Sequence, residues 1–328
     1  MVENARNGGN PAAQPNGGSL SFLGYGACAA AGLLWGTGFF WGRLALDEMN
    51  VEHMVLYRFL FACAGMVPVM ATRRVRLTAG ETRTMLLTAF FGIPLQFLLQ
   101  FHGLALTTVS HASLMVGALP VPLAVAAAIF AGERLDWMGW LALCGSTVGV
   151  AMVTLGGTRA TTGRETPSLA GDLMVVGSLL VALVWILLSK KLMQTHSAPV
   201  VTAYTIVAGT AMLVIWEAGE WLFARIAHQS PEPLPFARVS ATAWIALAIS
   251  GLLCTATTTF LWNWGIHHVP ASRAGVFLNL EPVIGSVLGV ALLGETLGPY
   301  AWAGGALILG AAVALTTRGR EAEEVILE

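Results

Sequence analysis

Long blocks of apolar residues, parted by short polar connections, dominate the chain. A run of about 20 apolar residues is long enough to cross a bilayer as a helix. The pattern predicts ten spans, at roughly 22–44, 53–71, 84–104, 109–131, 137–155, 170–189, 199–222, 241–265, 271–293 and 299–317. Two connections are longer, 156–169 and 223–240, and both are polar with Pro, Gly, Ser or Thr punctuation. Ahead of the first block stands MVENARNGGNPAAQPNGGSL, rich in Gly, Asn and Pro, which predicts a disordered tail over 1–21. It lacks the basic start of a signal peptide. The apolar run from Phe22 to Leu46 also exceeds the ~7–15 residues of a signal core, so it reads as a retained first span.

Composition agrees. Of 328 residues 56% are hydrophobic and 11% charged, against about 25% charged in soluble domains. The fold class is therefore an all-α integral membrane protein, for which soluble-domain size rules do not apply. A net charge of −1 offers no field for nucleic acid. Cys28, Cys63, Cys144 and Cys254 fall inside apolar blocks without a C-x-x-C spacing. They read as small buried apolar residues rather than disulfides or metal ligands.

Basic residues set the orientation. With ten spans, Arg6, Arg73, Arg74, Arg76, Arg83, Arg134, Lys190, Lys191, Arg273, Arg318 and Arg320 fall on one side, eleven in all. Arg43, Arg159, Arg164, Arg225 and Arg238 make five on the other, and Arg58 lies within a span. The bias puts both termini in the cytoplasm, and an odd count of spans would destroy it.

The chain also matches itself. At a shift of 162, VSHASLMVGALP (Val109 to Pro120) lies on ASRAGVFLNLEP (Ala271 to Pro282). Gly132-Glu133 then lies on Gly294-Glu295, Leu135 on Leu297, Trp140 on Trp302 and Gly103 on Gly265. Two halves of five spans insert with opposite orientation. The expected organisation is a repeat at 22–156, a loop at 157–169, a second repeat at 170–317 and a cytoplasmic tail at 318–328. Inverted repeats are a device of secondary transporters, which bind near the midplane and rock one half against the other.

LLWGTGFFWGRLAL in the first span, the early Arg of LYRFLFA in the second, and two runs through a mid-span Pro to Gly-Glu-x-Leu and Trp together resemble the EamA-type members of the drug/metabolite transporter superfamily. The resemblance covers about 22–317. It implies a ten-span, multi-pass protein of the bacterial inner membrane that moves small metabolites, often with protons as the driving ion. It does not imply which solute. In one respect the halves differ: Leu119 precedes Pro120, whereas Glu281 precedes Pro282.

Glu281 lies about ten residues, or roughly 15 Å, into its span. A charge there costs about 2.5–3.5 kcal/mol, so a carboxyl is a functional candidate by default. Burial disfavours its charged form, which suits reversible protonation. Pro282 cannot donate to the Leu278 carbonyl, leaving an acceptor beside the acid. The structural reading stands at equal weight: a protonated Glu281 bonded to a neighbouring helix, and a kink at Pro282. Gly285 and Gly289 on the same face allow close helix approach. Arg58 sits roughly 9 Å from the outer end of its helix. It is fitted to bind a substrate carboxylate, to snorkel outward or to pair with Glu281. Gln96 and Gln100 share a face with Gly92 and Gly103, and at the 162 shift they fall on Thr258 and Trp262, near Thr255 and Thr259. These stripes predict a cavity lined from both halves, with interhelical hydrogen bonding as the alternative. Asn263, Asn279 and His102 are weaker members. Trp35 and Trp262 are the deepest of the tryptophans suited to stacking on an organic solute, above Trp41, Trp185 and Trp264. His111, His267 and His268 read as interfacial, and Glu133 and Glu295 as caps of the helices that follow them.

No H-E-x-x-H, G-x-S-x-G or Walker motif occurs, and GTGFFWG is not a dinucleotide loop. No cofactor or metal is expected. The expected partners are a small solute, protons and lipid. The reading is a secondary transporter of small organic metabolites, amino-acid-like or drug-like, working as a proton-coupled exporter. A non-transporting scaffold or an intramembrane enzyme is the competing reading.

Overall fold

A computed structural model describes residues 17–73, 75–119, 122, 137–155, 167–228, 238–268 and 275–327. Pro120, Gly132, Glu133, Arg134, Arg273 and most of the 1–21 tail and the 157–169 loop lie outside the described residues. Those described are helical, with no β-strand among them. In order they form α1 (Gly17–Gly36), α2 (Gly38–Leu46), α3 (Val51–Thr72), α4 (Ala79–Phe90), α5 (Gln96–Ala105), α6 (Val109–Val116), α7 (Trp137–Leu155), α8 (Leu169–Leu192), α9 (Ala198–Ile226), α10 (Ala241–Gly251), α11 (Thr258–His268), α12 (Leu280–Leu293) and α13 (Pro299–Leu327). Helix α1 thus begins inside the stretch expected to be disordered.

Six apolar stretches are long enough to cross a membrane: Phe22–Leu46, Val51–Thr72, Ala79–Ala105, Leu169–Ser189, Ala198–Ile226 and Ala241–Gly265. Trp140–Val153 and Phe277–Leu293 are shorter apolar helices. Leu180, Ile215, Val287 and Leu292 stand exposed on the outside, as do Trp140 and Trp302. Such a surface is stable against lipid and not against water. The protein is a multi-pass membrane protein.

Local chemistry sets most helix starts. Asn50, Thr78, Thr108, Ser168 and Ser240 each cap a helix through a side-chain oxygen that accepts a backbone N–H three residues on. Thr78 and Glu81 complete a capping box. Gly294 closes α12 in the left-handed region, at φ 65°, where a Cβ is costly.

Among the described residues the first, third and eighth predicted spans are internally broken. The first turns at Thr37, whose hydroxyl bonds back to the Leu34 carbonyl at 2.8 Å. The third passes through a π-helical turn, Phe91–Leu95, where Pro94 brings no N–H. The eighth does the same at Leu252–Thr257, with Thr255 Oγ1 donating to the Ser250 carbonyl five residues back at 3.0 Å. Shifting 91–95 by 162 lands on 253–257, so the two wide turns correspond.

The packing corresponds as well. Helix α5 crosses α8, and α11 crosses α1. A methyl added at Gly103 would lie 2.8 Å from the Gly171 carbonyl and from Val175; one added at Gly265 would lie 3.0 Å from the Gly24 carbonyl and against Cys28. Gly103 and Gly265 differ by 162, while Gly24 and Gly171, like Cys28 and Val175, differ by 147. Helices α7 and α13 cross through Gly149 and Gly304, each backbone carbonyl within 2.7 Å of where the other's Cβ would stand. Helix α6 packs on α12, and α3 on α9.

Candidate functional site

The side chain of Arg58 is buried, with 4% of its surface exposed. Its Nε donates to Thr255 Oγ1 at 3.0 Å, and its guanidinium lies 5.1 and 5.2 Å from the ring centres of Phe97 and Phe101. Such aromatic flanking is worth roughly 0.5–2 kcal/mol to a cation. Thr255 belongs to one π-helical turn, and Phe97 follows directly on the other. The widened turns therefore bring the two corresponding spans together on one arginine. No acceptor bonds the terminal guanidinium nitrogens among the described residues, and the burial rules out snorkelling. Gly38 leaves room beside Nη2: a methyl there would come no closer than 3.8 Å.

Glu281 sits in the first turn of α12, after a 3₁₀ segment over Gly275–Asn279. Pro282 therefore does not kink a helix interior. It occupies the first turn, where its missing N–H leaves no gap in the ladder. The positive end of the α12 dipole falls on the Glu281 carboxyl. Glu281 is half-buried. It lies within electrostatic reach of Arg58 and Cys254 without an ion pair to the arginine. Cys254 Sγ in turn meets Thr37 Oγ1 at 3.2 Å.

Around this pair stand unsatisfied polar atoms. Asn279 is 8% exposed, and neither its Oδ1 nor its Nδ2 has a hydrogen-bond partner; Gln96 Oε1 is likewise buried and unpartnered. Buried polar atoms without partners cost roughly 1–3 kcal/mol each and ask for a ligand or water. Trp35 and Trp262 meet with ring centres 5.5 Å apart, and the neighbouring Gly36 packs against Ile284 and the Glu281 carbonyl. Gln100 is buried on α5, one turn beyond Gln96.

Other sequence candidates have structural roles. His102 is half-exposed and points to Glu52 at 3.0 Å, away from the site. Asn263 donates to Thr202 Oγ1 at 2.6 Å, joining α11 to α9. Gly285 and Gly289 make the close approach of α12 to α6, against Ser113 and Ser110. His111 is fully buried rather than interfacial. Glu295 caps α6, not α13: it accepts the Val109 N–H at 2.8 Å and the Ser110 N–H at 2.7 Å. Cys144 is exposed and Cys63 half-buried, which corrects the burial expected of all four cysteines. Phe97, Phe101 and Thr37 carry no sequence signal distinguishing them from ordinary span residues, and only the fold singles them out.

The profile of the EamA-like transporter family matches residues 22–155 and again 169–317. The chain belongs to the EamA-like transporter family. Known relatives agree. An uncharacterized transporter of Archaeoglobus fulgidus is 24% identical over 87% of this chain and 94% of its own length. A protein of Streptantibioticus cattleyicolor named "probable terminal-alkyne amino-acid exporter" is 26% identical over 88% of this chain and 92% of its own. A solved crystal structure shares the fold with a TM-score of 0.59 at 19% identity, covering 91% of this chain and 98% of that one. Arg58 and Glu281 thus lie within electrostatic reach of each other in an EamA-like transporter.

Proposed function

We propose that this EamA-like protein is a proton-coupled exporter of small organic solutes with an anionic end, amino acids foremost. It works as ten spans in two inverted five-helix repeats, 22–156 and 170–317, with both termini in the cytoplasm of a bacterial cell. The observation that carries this reading is that Arg58 and Glu281 lie within electrostatic reach of each other with no ion pair between them, while buried amide atoms of Asn279 and Gln96 have no partner. A guanidinium with uncommitted donors suits a carboxylate, and a protonatable acid beside it supplies the coupling. The unpartnered amides of Asn279 and Gln96 suit a polar solute, and the Trp35–Trp262 pair suits its apolar body. The corresponding π-helical turns and glycine crossings support the repeat, and alternating access follows from it. The name of the Streptantibioticus relative supports amino acids and export. A scaffold would gain stability by filling this space with apolar side chains, and an enzyme would need a nucleophile and base in contact.

The test is flux in proteoliposomes under an imposed pH gradient, with a panel of amino acids and small organic acids. The wild type should move at least one solute with the gradient. Glu281→Gln should lose gradient-driven flux while keeping the wild-type melting profile. Undiminished driven flux in that variant removes Glu281 from the mechanism.

A further inference from the structure

Two hydrogen-bonded clasps tie the matched halves together, one at each end of α3. Helix α3 runs 22 residues, Val51–Thr72, about 33 Å and long enough to cross a bilayer. Ahead of it, in the connection from α2, stands Glu48; beyond it, in the first turn of α4, stands Glu81. The Glu48 carboxylate accepts the Ser240 N–H and the Ser240 hydroxyl, each at 2.6 Å. Ser240 caps α10, in the second half. The Glu81 carboxylate accepts the Thr195 hydroxyl at 3.2 Å and lies 2.9 Å from His196 Nε2. Both of those residues belong to the connection from α8 to α9, again in the second half.

The clasps are counterparts. A shift of 162 carries Thr78, the cap of α4, onto Ser240, the cap of α10. A shift of 147 carries Glu48 onto Thr195, and the start of α3 at Val51 onto the start of α9 at Ala198. Each clasp therefore joins the connection ahead of α3 or α9 to the start of α10 or α4. The chemistry is exchanged between them: the connection supplies the acid in one, the helix in the other.

What lies beneath them differs. From the Glu48 clasp, α3 and α10 lead through Tyr57 and Trp244, edge to face at 5.0 Å, toward the bond between Arg58 and Thr255. Beneath the Glu81 clasp lies a separate apolar cluster of Met85, Leu192 and Val201, backed by Leu77, Met193 and Tyr204. Thr205, which the shift of 147 sets on Arg58, gives its hydroxyl to Met85 Sδ at 3.4 Å. The buried cation thus lies under one clasp and an apolar plug under the other. Glu48, Ser240 and Thr195 are exposed, and Glu81 and His196 half-buried. Water competes for contacts of this kind, so each contributes little and opens without unfolding the helices that it joins.

We propose that the two clasps are opposed gates: Glu48 with Ser240 holds one face of the membrane closed over Arg58, and Glu81 with Thr195 and His196 holds the opposite face closed. Both are made in this structure. Opening one while the other stays made gives the central site access to a single side. Calling them gates rests on the transport reading above, and calling the Glu48 face the outer one rests on its orientation. Their placement at opposite ends of α3 rests on neither.

Cys254 reports on the site. It is 1% exposed, its Sγ lies 3.2 Å from Thr37 Oγ1, and it stands one residue before Thr255, the partner of Arg58. The test uses the full-length protein with Cys28, Cys63 and Cys144 replaced by Ala. A charged, membrane-impermeant maleimide is added to intact cells or to inside-out vesicles, and the rate of Cys254 labelling is read by mass spectrometry. Glu48→Ala, which keeps Ser240 as the cap of α10, should raise labelling from outside about two- to fivefold, the size of one exposed contact, and leave labelling from inside unchanged. Thr195→Val with His196→Ala, which keeps the Thr78–Glu81 capping box, should raise labelling from inside by a similar factor and leave the outside rate unchanged. Glu48→Gln and Thr195→Val alone, each with a smaller rise on the same face, serve if the stronger variants do not fold. Labelling that rises equally from both faces, or that changes from neither, overturns the gates. The assay needs no solute and no gradient, so a chain that fails the flux experiment still passes or fails this one on its own.

Discussion

Removing the Glu295 carboxylate isolates one of the strongest contacts between the two matched halves. Its two oxygens accept the N–H groups of Val109 and Ser110 at 2.8 and 2.7 Å. Both residues are fully buried. Glu295→Ala strands both donors, at about 1–3 kcal/mol each. It also takes an anion from a helix N-terminus, worth about 0.3–1 kcal/mol. The expected loss is about 2–7 kcal/mol, reduced to the extent that water enters the space left behind. Glu295→Gln keeps one acceptor oxygen but turns an NH₂ group toward a donor, so it should fall between wild type and Ala. The assay is reversible unfolding in mixed micelles, with amide exchange at the start of α6 as the local readout. An Ala variant within about 0.5 kcal/mol of wild type, the range of an ordinary surface change, would refute the assignment of Glu295 as the cap of α6.

Glu48 lies in the connection between α2 and α3, and the Ser240 hydroxyl and N–H, each at 2.6 Å, hold its carboxyl below the ordinary glutamate range. A lowered folded value means the contribution is fully present above the ordinary value of about 4.3 and is lost as pH falls below it. The stability gap between wild type and Glu48→Gln, at most about 1 kcal/mol at this exposed site, should shrink toward zero in acid melts and stay constant above pH 6. Gly103→Ala pushes a methyl onto the α8 backbone at Gly171 and Val175, which should cost about 1–3 kcal/mol in the same unfolding assay. Arg58→Lys loses the planar fork and its stacking between Phe97 and Phe101, so it should reduce solute flux at least tenfold, while Arg58→Gln should abolish it; wild-type flux in either excludes Arg58 from the binding site.

Six of the ten predicted spans were legible because lipid forces about twenty apolar residues into one block, and that signal is local. What happens inside a span was less so. Pro94 marks one π-helical turn, but the turn at 252–257 has no proline and is set by Thr255 and Thr258 bonding five residues back. Arg58 and Glu281 stood out as charges in apolar runs. Their lying within electrostatic reach of each other did not, since it depends on how α3 and α12 lie in three dimensions. His102 was misleading for the opposite reason: helical spacing put it beside Gln96 and Gln100, yet Glu52 at the end of a neighbouring helix draws it outward. Glu295 looked like a local cap because a Gly-Glu turn precedes α13. The N–H groups closest to it belong instead to a helix 185 residues earlier in the chain, a contact only tertiary packing creates.

Helix α12 joins the central site to the start of α6. Its first turn carries Glu281, its middle meets α6 through Gly285 and Gly289, and the turn beyond Gly294 delivers Glu295 to the start of α6. The glycines leave no side chain between the two helices, which therefore pack closely along α12, a helix of about 20 Å. Helix α6 in turn carries His111 against Asp172. Glu281 at one end and His111 at the other are thus joined by one close-packed helix pair. The chemistry is asymmetric, with the acid in one half only, while the packing that transmits it recurs in both.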